Sequence, residues 1–515
     1  MIPTQVFQKL NKKIKWQWKL AFFSAVCIGL LIHMPVLLSD VPNHDGLASM
    51  YFDQNMITSG RWFLSVACGF SSFYTIPWMI GLLGLLFLGL ASAVITELLE
   101  VDRGWAIVLN SGLLVSFPAL ASTFAYVFTL DGYMMALFLA ALAVLLTKKY
   151  RMGFLWGAAC LAFSMGIYQA YLAFAVVLSL FAVLMLYAGE KSVAEKVKGT
   201  IKYLGMGVLG AALYYVILQV LLQIQGKELA SYQGINGMVS GSTEGGLAGI
   251  IVNLYRDFAV FTLKGNVLFH NPISCAAVIL LVLAAVLSAV ALVRNRKWWK
   301  NPLLFVIIIV AAAVIPVASN VILVVSPNVT YHLLMRYQWV LYLIGLTAFV
   351  SGNACLTKKS AVLEWAALLA AFVLVFFYGV TDNIGYSNLQ KRYEKTYAYC
   401  TRLLDRIEQT PGYYQGMPIA MIGVVGEESY PVTDITLPVT GSMIGLNGDS
   451  LLYTGDNYQS FISNYLGATL NILPAEAMSE MYYSEEYIAM DSFPGENSIR
   501  IIDGIMYIKT ENVTR

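Results

Sequence analysis

The stretch Ser39-Asp40-Val41-Pro42-Asn43-His44-Asp45-Gly46 gathers acids and amides directly behind a long apolar run, and Asp53-Gln54 and Ser59-Gly60-Arg61-Trp62-Phe63 follow it closely. A carboxylate at a water–lipid boundary is partly desolvated. There it can take a proton from a hydroxyl while a lipid-borne group approaches from the membrane. Asp40 and Asp45 are the candidates for that role. Asp40 also reads as the cap of a helix end, and Asp45-Gly46 as a turn. Arg61 beside Trp62 reads either as a phosphate contact or as an interfacial anchor.

Three further groups carry chemistry. Asp131 follows Thr129-Leu130 inside a long apolar stretch, where acids are costly and tend to face a cavity; a structural partnership is the other reading. Tyr168, Gln169 and Tyr171 follow a run of about fourteen apolar residues, which reaches about 21 Å as a helix against a hydrocarbon layer of about 30 Å. They are expected to line a hollow or to form an aromatic belt. In Tyr331-His332-Leu333-Leu334-Met335-Arg336, His332 and Arg336 stand four apart and are expected to share a helix face. The Arg336 guanidinium suits a pair of phosphate oxygens, with an ion pair to a nearby acid as the competing reading. His332 reads as a polar lining residue. The four histidines are scattered without HxxxH or HExxH spacing, so no metal site and no cofactor is expected.

These residues need a scaffold, and composition says which kind. At 58% hydrophobic and 12% charged, the chain is too apolar for an ordinary soluble protein. Apolar runs near 20–38, 77–97, 105–122, 124–146, 152–167, 172–188, 202–223, 273–293, 302–325, 336–354 and 361–380 predict an all-α polytopic membrane protein with about eleven spans. The first run is longer than a signal-peptide core, and no small-x-small site follows it, so it is expected to be retained. Nineteen of the twenty-four Lys and Arg before residue 386 fall in every second loop, from Lys9–Lys19 to Lys358 and Lys359. Basic loops stay on the cytoplasmic side. This places the N-terminus inside, and Asp40–Arg61, the loop 224–272 and the C-terminus outside. No exposed basic tract suggests nucleic acid, and the six cysteines form no CxxC pair.

Residues 1–380 therefore read as a membrane domain and 386–515 as an extracytoplasmic α/β domain. Hydropathy collapses after Tyr378, and residues 386–515 hold 8 Lys+Arg against 16 Asp+Glu. A helix is expected over 386–409, with Tyr393, Tyr397, Cys400, Leu404 and Ile407 on one face. A buried strand is expected at Pro418–Val425, and helical stretches around 457–468 and 475–483. A hairpin is expected around Asp503-Gly504. Gly423-Val424-Val425-Gly426 lacks the spacing of a nucleotide-binding loop. In the loop 224–272, Gly234–Gly249 is rich in Gly and Ser, and Leu247–Leu268 has the period of an interfacial helix.

Asn43-His44-Asp45-Gly46 and Ser59-Gly60-Arg61-Trp62, supported by Asp131-Gly132 and Tyr168-Gln169, resemble the GT-C class of polytopic glycosyltransferases. Within that class the chain is most similar to the Gtr type II glucosyltransferases, which include serotype-converting O-antigen enzymes. The likeness covers about residues 15–380 in hydropathy and order. Many members carry an acidic pair where this chain has His44-Asp45, which leaves Asp45 as the better base with Asp40 behind it. The resemblance implies transfer of a sugar, glucose being the one implied, from a polyprenyl-phosphate donor to a cell-envelope glycan by a single inverting displacement. It places the work on the outer face of the bacterial cytoplasmic membrane. Arg336 would bind the donor phosphate with Arg61 or Arg256 as helpers, and Asn43, His44, Asp131, Tyr168, Gln169 and His332 would line the cavity. A flippase or transporter for lipid-linked sugars predicts charges deep within several spans, whereas here polar residues gather at the outer ends. An envelope glycan polymerase shares the outer-face logic and stays open.

Overall fold

The computed structural model of the chain describes residues 2–49, 53–69, 74–230, 246–265, 267–297, 302–326, 329–353, 358–422, 436–448, 451–452 and 455–510. A short helix α1 (Pro3–Lys13) precedes the first long one, α2 (Trp16–Leu38). The following loop carries two small helices, α3 (His44–Ala48) and α4 (Leu64–Gly69), and leads to α5 (Pro77–Leu98), which Pro77 opens from the first turn. Pro118 cannot donate to the preceding turn, so α6 (Gly104–Ser116) and α7 (Pro118–Phe124) meet at a bend of 51°. Next come α8 (Leu130–Lys149), α9 (Gly153–Ile167), α10 (Tyr171–Ala188) and α11 (Val193–Gln225). A capping box of Ser192 and Glu195 starts α11. After α12 (Gly246–Lys264) come α13 (Pro272–Asn295), capped by Asn271, α14 (Pro302–Ser319) and α15 (Val321–Val325). A tight 3₁₀ segment, Leu333–Trp339, leads into α16 (Val340–Gly352), and α17 (Lys358–Gln409) closes the helical part.

Among the described residues nine helices are long and apolar enough to cross a membrane, and the bent pair makes a tenth span. With the 15-residue α9 they account for the eleven apolar runs of the sequence, so the chain is a multi-pass membrane protein. At about 1.5 Å per residue α9 is about 22 Å long, short of the hydrocarbon thickness. The loop helix α12 packs on α14 through Leu254, whose carbonyl accepts from Asn320 Nδ2 at 2.9 Å, and leaves Ile251, Val252 and Leu263 exposed. That is the amphipathic pattern read from 247–268.

The two ends of the bundle differ. At one end Lys15 and Lys149 both hold Glu97, at 2.8 and 2.6 Å, Lys148 reaches Glu100 at 2.8 Å, and Trp105 donates to Glu364 at 2.7 Å. At the other end α2 runs out at Leu38 into the loop that holds Asp40 and Asp45.

The last helix does not stop where hydropathy falls. Helix α17 runs for 52 residues, roughly 78 Å at the usual rise, so it contains both the last span and the helix expected over 386–409. One polar stripe of it beyond Tyr378 turns inward. Asn383 Nδ2 donates to the Ile32 carbonyl at 3.2 Å, the Tyr386 hydroxyl lies 2.6 Å from His33 Nδ1, and Asn388 Nδ2 donates to the Leu446 carbonyl at 2.8 Å. Thr381, Asp382, Asn388 and Arg392 are all buried. A drop in hydropathy signals water only when the polar groups face it; this stripe faces protein.

Beyond α17 lies a four-stranded sheet of order β2-β1-β4-β3, with β1 (Pro418–Ile422), β2 (Asn471–Ile472), β3 (Ile499–Ile502) and β4 (Ile505–Lys509). Strand β1 is parallel to both neighbours, and β3 and β4 form the expected hairpin. Asp503 and Gly504 take φ of 50° and 78°, the left-handed pair that a two-residue hairpin turn requires. The later part of the expected strand, Gly423-Val424-Val425-Gly426 included, lies outside the described residues, as does most of the Gly- and Ser-rich stretch. The helices expected around 457–468 and 475–483 are present as Gly455–Phe461 with a wide turn to Leu466, and as Ala475–Met478 with Met481–Tyr483. Ile419 and Met506 of the sheet belong to the same apolar cluster as Leu37 and Phe124 of the bundle.

Glycines let α8 and α9 touch. A Cβ at Gly157 would fall 2.6 Å from the Ala143 carbonyl, whereas one at Gly207 on α11 would meet nothing within 4 Å. Gly157→Leu is expected to lower stability by about 1–3 kcal/mol through overpacking, and Gly207→Leu to leave it unchanged. Thermal unfolding of the two variants in detergent checks this.

Candidate active site

Three polar clusters line the end of the bundle opposite the basic loops. The first is built on α3. Asn43 is fully buried, and its Oδ1 accepts from Gly46 N at 2.7 Å, capping the helix. The cap sets His44 and Asp45 in the first turn. His44 Nε2 lies 3.4 Å from Asp45 Oδ1, and the Asp45 side chain is 56% exposed. Burial lowers the pKa of His44 below the ordinary imidazole value; the Asp45 carboxylate opposes the shift and the nearby Arg392 guanidinium adds to it. Partial burial raises the carboxyl of Asp40.

Residues far along the chain hold this loop. Asn457 Nδ2 donates to the His44 carbonyl at 3.3 Å, and the Tyr465 hydroxyl to the Asp40 carbonyl at 3.4 Å. Arg392 is 1% exposed and donates to the Gly445 carbonyl at 3.1 Å. Gly445 in turn sits so close to Tyr126 and Asn43 that a Cβ would fall 2.9 Å from the Tyr126 ring. Arg392, Asn457 and Gly445 were not anticipated from the sequence. The signal for Arg392 was a polar stripe at helical spacing, Asn388, Arg392 and Thr396, beside Leu389, Tyr399 and Leu403.

The second cluster joins two sequence motifs. Gln169 Nε2 donates to the Ser59 carbonyl at 2.9 Å, and the Tyr214 hydroxyl donates to the Gly60 carbonyl at 3.1 Å. Gly60 has φ of 77°, and a Cβ there would lie 2.5 Å from both clamping side chains. Trp62 packs on Gly166, and Phe63 N donates to the Gly166 carbonyl at 2.7 Å. Arg61 is thereby aimed inward: Nη1 donates to the Tyr133 hydroxyl at 3.2 Å, and its guanidinium sits 5.1 Å from the centre of the Tyr168 ring. Tyr133 and Tyr168 stack at 4.4 Å. Asp131, two residues before Tyr133, is buried, and its Oδ1 accepts from Gly132 N at 2.8 Å. Cys68 packs against Gly132; burial raises its thiol pKa well above the usual range, and the Asp131 charge raises it further.

The third cluster surrounds Arg336. Its Nη1 and Nη2 form a fork on Asp257 of α12 at 2.6 and 2.8 Å, and Nε donates to the Tyr331 carbonyl at 3.1 Å. The guanidinium lies 3.8 Å from the Tyr331 ring centre and 4.4 Å from that of Phe261. His332 and Arg336 do not share an α-helical face: the segment winds as a 3₁₀ turn, with Arg336 at φ −106°, ψ 23°. Burial, and then the Arg336 charge, lower the pKa of His332. Arg256, beside Asp257, is exposed. The structure thus shows the ion pair that was one of the two readings of Arg336. Its partner, Asp257, lies 79 residues away along the chain, beyond the reach of local spacing.

A double-mutant cycle tests that pair. Arg336→Ala and Asp257→Ala should each destabilise the protein by about 1–3 kcal/mol, because each leaves a partner without its bond. The double variant should cost clearly less than the sum. Additive losses in thermal unfolding would mean that the two side chains do not depend on each other.

The family model described as glucosyl transferase GtrII matches residues 34–351, more than half of the chain, from within α2 through α16. That segment contains Asp40, Asp45, Arg61, Asp131, Gln169 and Arg336, and ends before Arg392 and Asn457. No curated protein and no solved structure matches the chain. A polytopic bundle with its polar clusters at one end, matched over that length, belongs to the GtrII glucosyl transferase family.

Proposed function

We propose that this glucosyltransferase takes its sugar, glucose, from a polyprenyl-phosphate donor and passes it to a glycan of the cell envelope on the outer face of the bacterial cytoplasmic membrane. One observation carries the reading: an accessible carboxylate, Asp45, stands on a capped turn at the end of the bundle away from the basic loops. Basic loops are retained inside, so the carboxylate faces the side where a membrane-borne donor is available. On this reading residues from about 386 onward form an extracytoplasmic region.

The chemistry is a single inverting displacement. The acceptor hydroxyl oxygen attacks the anomeric carbon as Asp45 takes its proton, and the bond from that carbon to the phosphate oxygen breaks, releasing polyprenyl phosphate. His44, its pKa lowered by burial, stands beside Asp45. Asp40, with its raised carboxyl, stands behind. Phosphate leaves readily, so positioning and charge stabilisation dominate. Arg61, presented through Tyr133 and Tyr168 beside Asp131 and Gln169, is the first contact for the phosphate, with exposed Arg256 as helper. Arg336 reaches a phosphate only by exchanging Asp257 for it. His332 and Asn43 complete the lining.

Asp45→Asn is expected to lower transfer by about 10²–10⁴-fold without loss of folded protein, measured with purified enzyme and polyprenyl-phospho-glucose. Asp40→Asn should have a smaller effect. Unchanged turnover of Asp45→Asn would move the base to Asp40 or Asp131.

Sidedness is tested with the six native cysteines removed. Asn55→Cys and Ser479→Cys should react with a membrane-impermeant maleimide in intact cells, and Lys191→Cys only after permeabilisation. The reverse pattern would put the site on the face where nucleotide sugars are available and would sink the polyprenyl donor.

A further inference from the structure

Asp40 lies beneath a group of aromatic rings contributed by residues beyond 351. Tyr393 and Tyr397 are one turn apart on α17, with ring centres 6.2 Å apart. Tyr465 meets Tyr393 edge-on at 5.2 Å and Phe461 at 5.0 Å. The Tyr465 hydroxyl donates to the Asp40 carbonyl, and Tyr393 is close enough to feel the Asp40 charge. Phe461 is fully buried and anchors the group, whereas Tyr397 is 43% exposed. The cluster is thus fixed at its base and open at its edge.

We propose that Tyr393, Tyr397 and Tyr465 form the platform on which a hexose of the acceptor glycan stacks. A pyranose has an apolar C–H face bordered by hydroxyls. Tyrosine rings match that face, and their phenols together with the Asp40 carboxylate match the rim. The charge of the region argues for the same ligand: residues 386–515 carry twice as many acids as bases, which disfavours an anionic headgroup and leaves a neutral sugar unopposed. Asp40 and Asp45 share one short loop, so a sugar held over Asp40 brings its hydroxyls to the proposed base. The platform lies past the family-matched segment, which separates acceptor recognition from the sugar-transfer machinery common to the family. The inference names the acceptor side of the site proposed above and rests on that reading.

The test uses the full chain in detergent, with Tyr397→Ala, Tyr465→Ala and the ring-retaining Tyr397→Phe. Tyr397→Ala should raise the acceptor KM about fivefold to tenfold, the scale of one lost ring contact, with kcat and donor KM within about twofold. Tyr397→Phe should restore most of the affinity. Ligand-observed NMR with a hexose oligosaccharide, without donor, should show saturation transfer that Tyr397→Ala abolishes. Unchanged acceptor KM and unchanged NMR contact would overturn the platform, as would Tyr397-dependent binding to anionic vesicles in place of oligosaccharide. If wild type transfers nothing from polyprenyl-phospho-glucose yet shows Tyr397-dependent oligosaccharide contact, the donor assignment fails and the platform stands.

Discussion

Hydrocarbon offers no hydrogen bonds, and that single constraint organises the molecule. Every backbone group within the bilayer must be satisfied inside the protein, so the described spans are helices, and side chains catch irregular backbone at the site. The loop through Ser59 and Gly60 illustrates this: its two carbonyls would be orphaned at a membrane boundary, and Gln169 and Tyr214 supply the missing donors. The clamps that satisfy the backbone also aim Arg61 at Tyr133 and Tyr168. Structural need and the geometry of the proposed site are met by the same bonds.

Helix α17 applies the constraint over a longer distance. Its polar stripe would be expensive in lipid, yet Asn383, Tyr386, Asn388 and Arg392 all find partners on α2 or in the segment 445–448. The helix consequently ties the C-terminal sheet to the bundle as one apolar mass. It also carries Arg392 near His44, where the guanidinium adds to the lowering of the imidazole pKa that burial causes. The region beyond residue 386 supports the loop that holds both candidate acids, through Asn457 and Tyr465.

Arg336 shows how an ion pair limits a role. Its five N–H donors are largely engaged by the Asp257 fork and the Tyr331 carbonyl, and its faces are covered by Tyr331 and Phe261. Such a pair fixes α12 against the start of α16. A second anion gains access only by competing with a carboxylate at bonding distance.

Local signals were legible in the sequence wherever a property repeats over a few residues. Apolar runs marked the spans and Asp503-Gly504 the hairpin, because chain length and allowed φ angles are properties of neighbours; the bend at Pro118 lies inside the run 105–122 and emerged only in the fold. The alternation of basic loops marked one end of the bundle, since charge is excluded from lipid wherever it stands. Partners across long separations were not legible. Asp257 with Arg336, Gln169 with Ser59, and Asn457 and Arg392 around His44 depend on which helices pack together, and no local period encodes that. The inward turn of α17 beyond Tyr378 is the same case: a polar residue reads as exposed until the neighbour that receives its hydrogen bond is known, and only the tertiary structure supplies that neighbour.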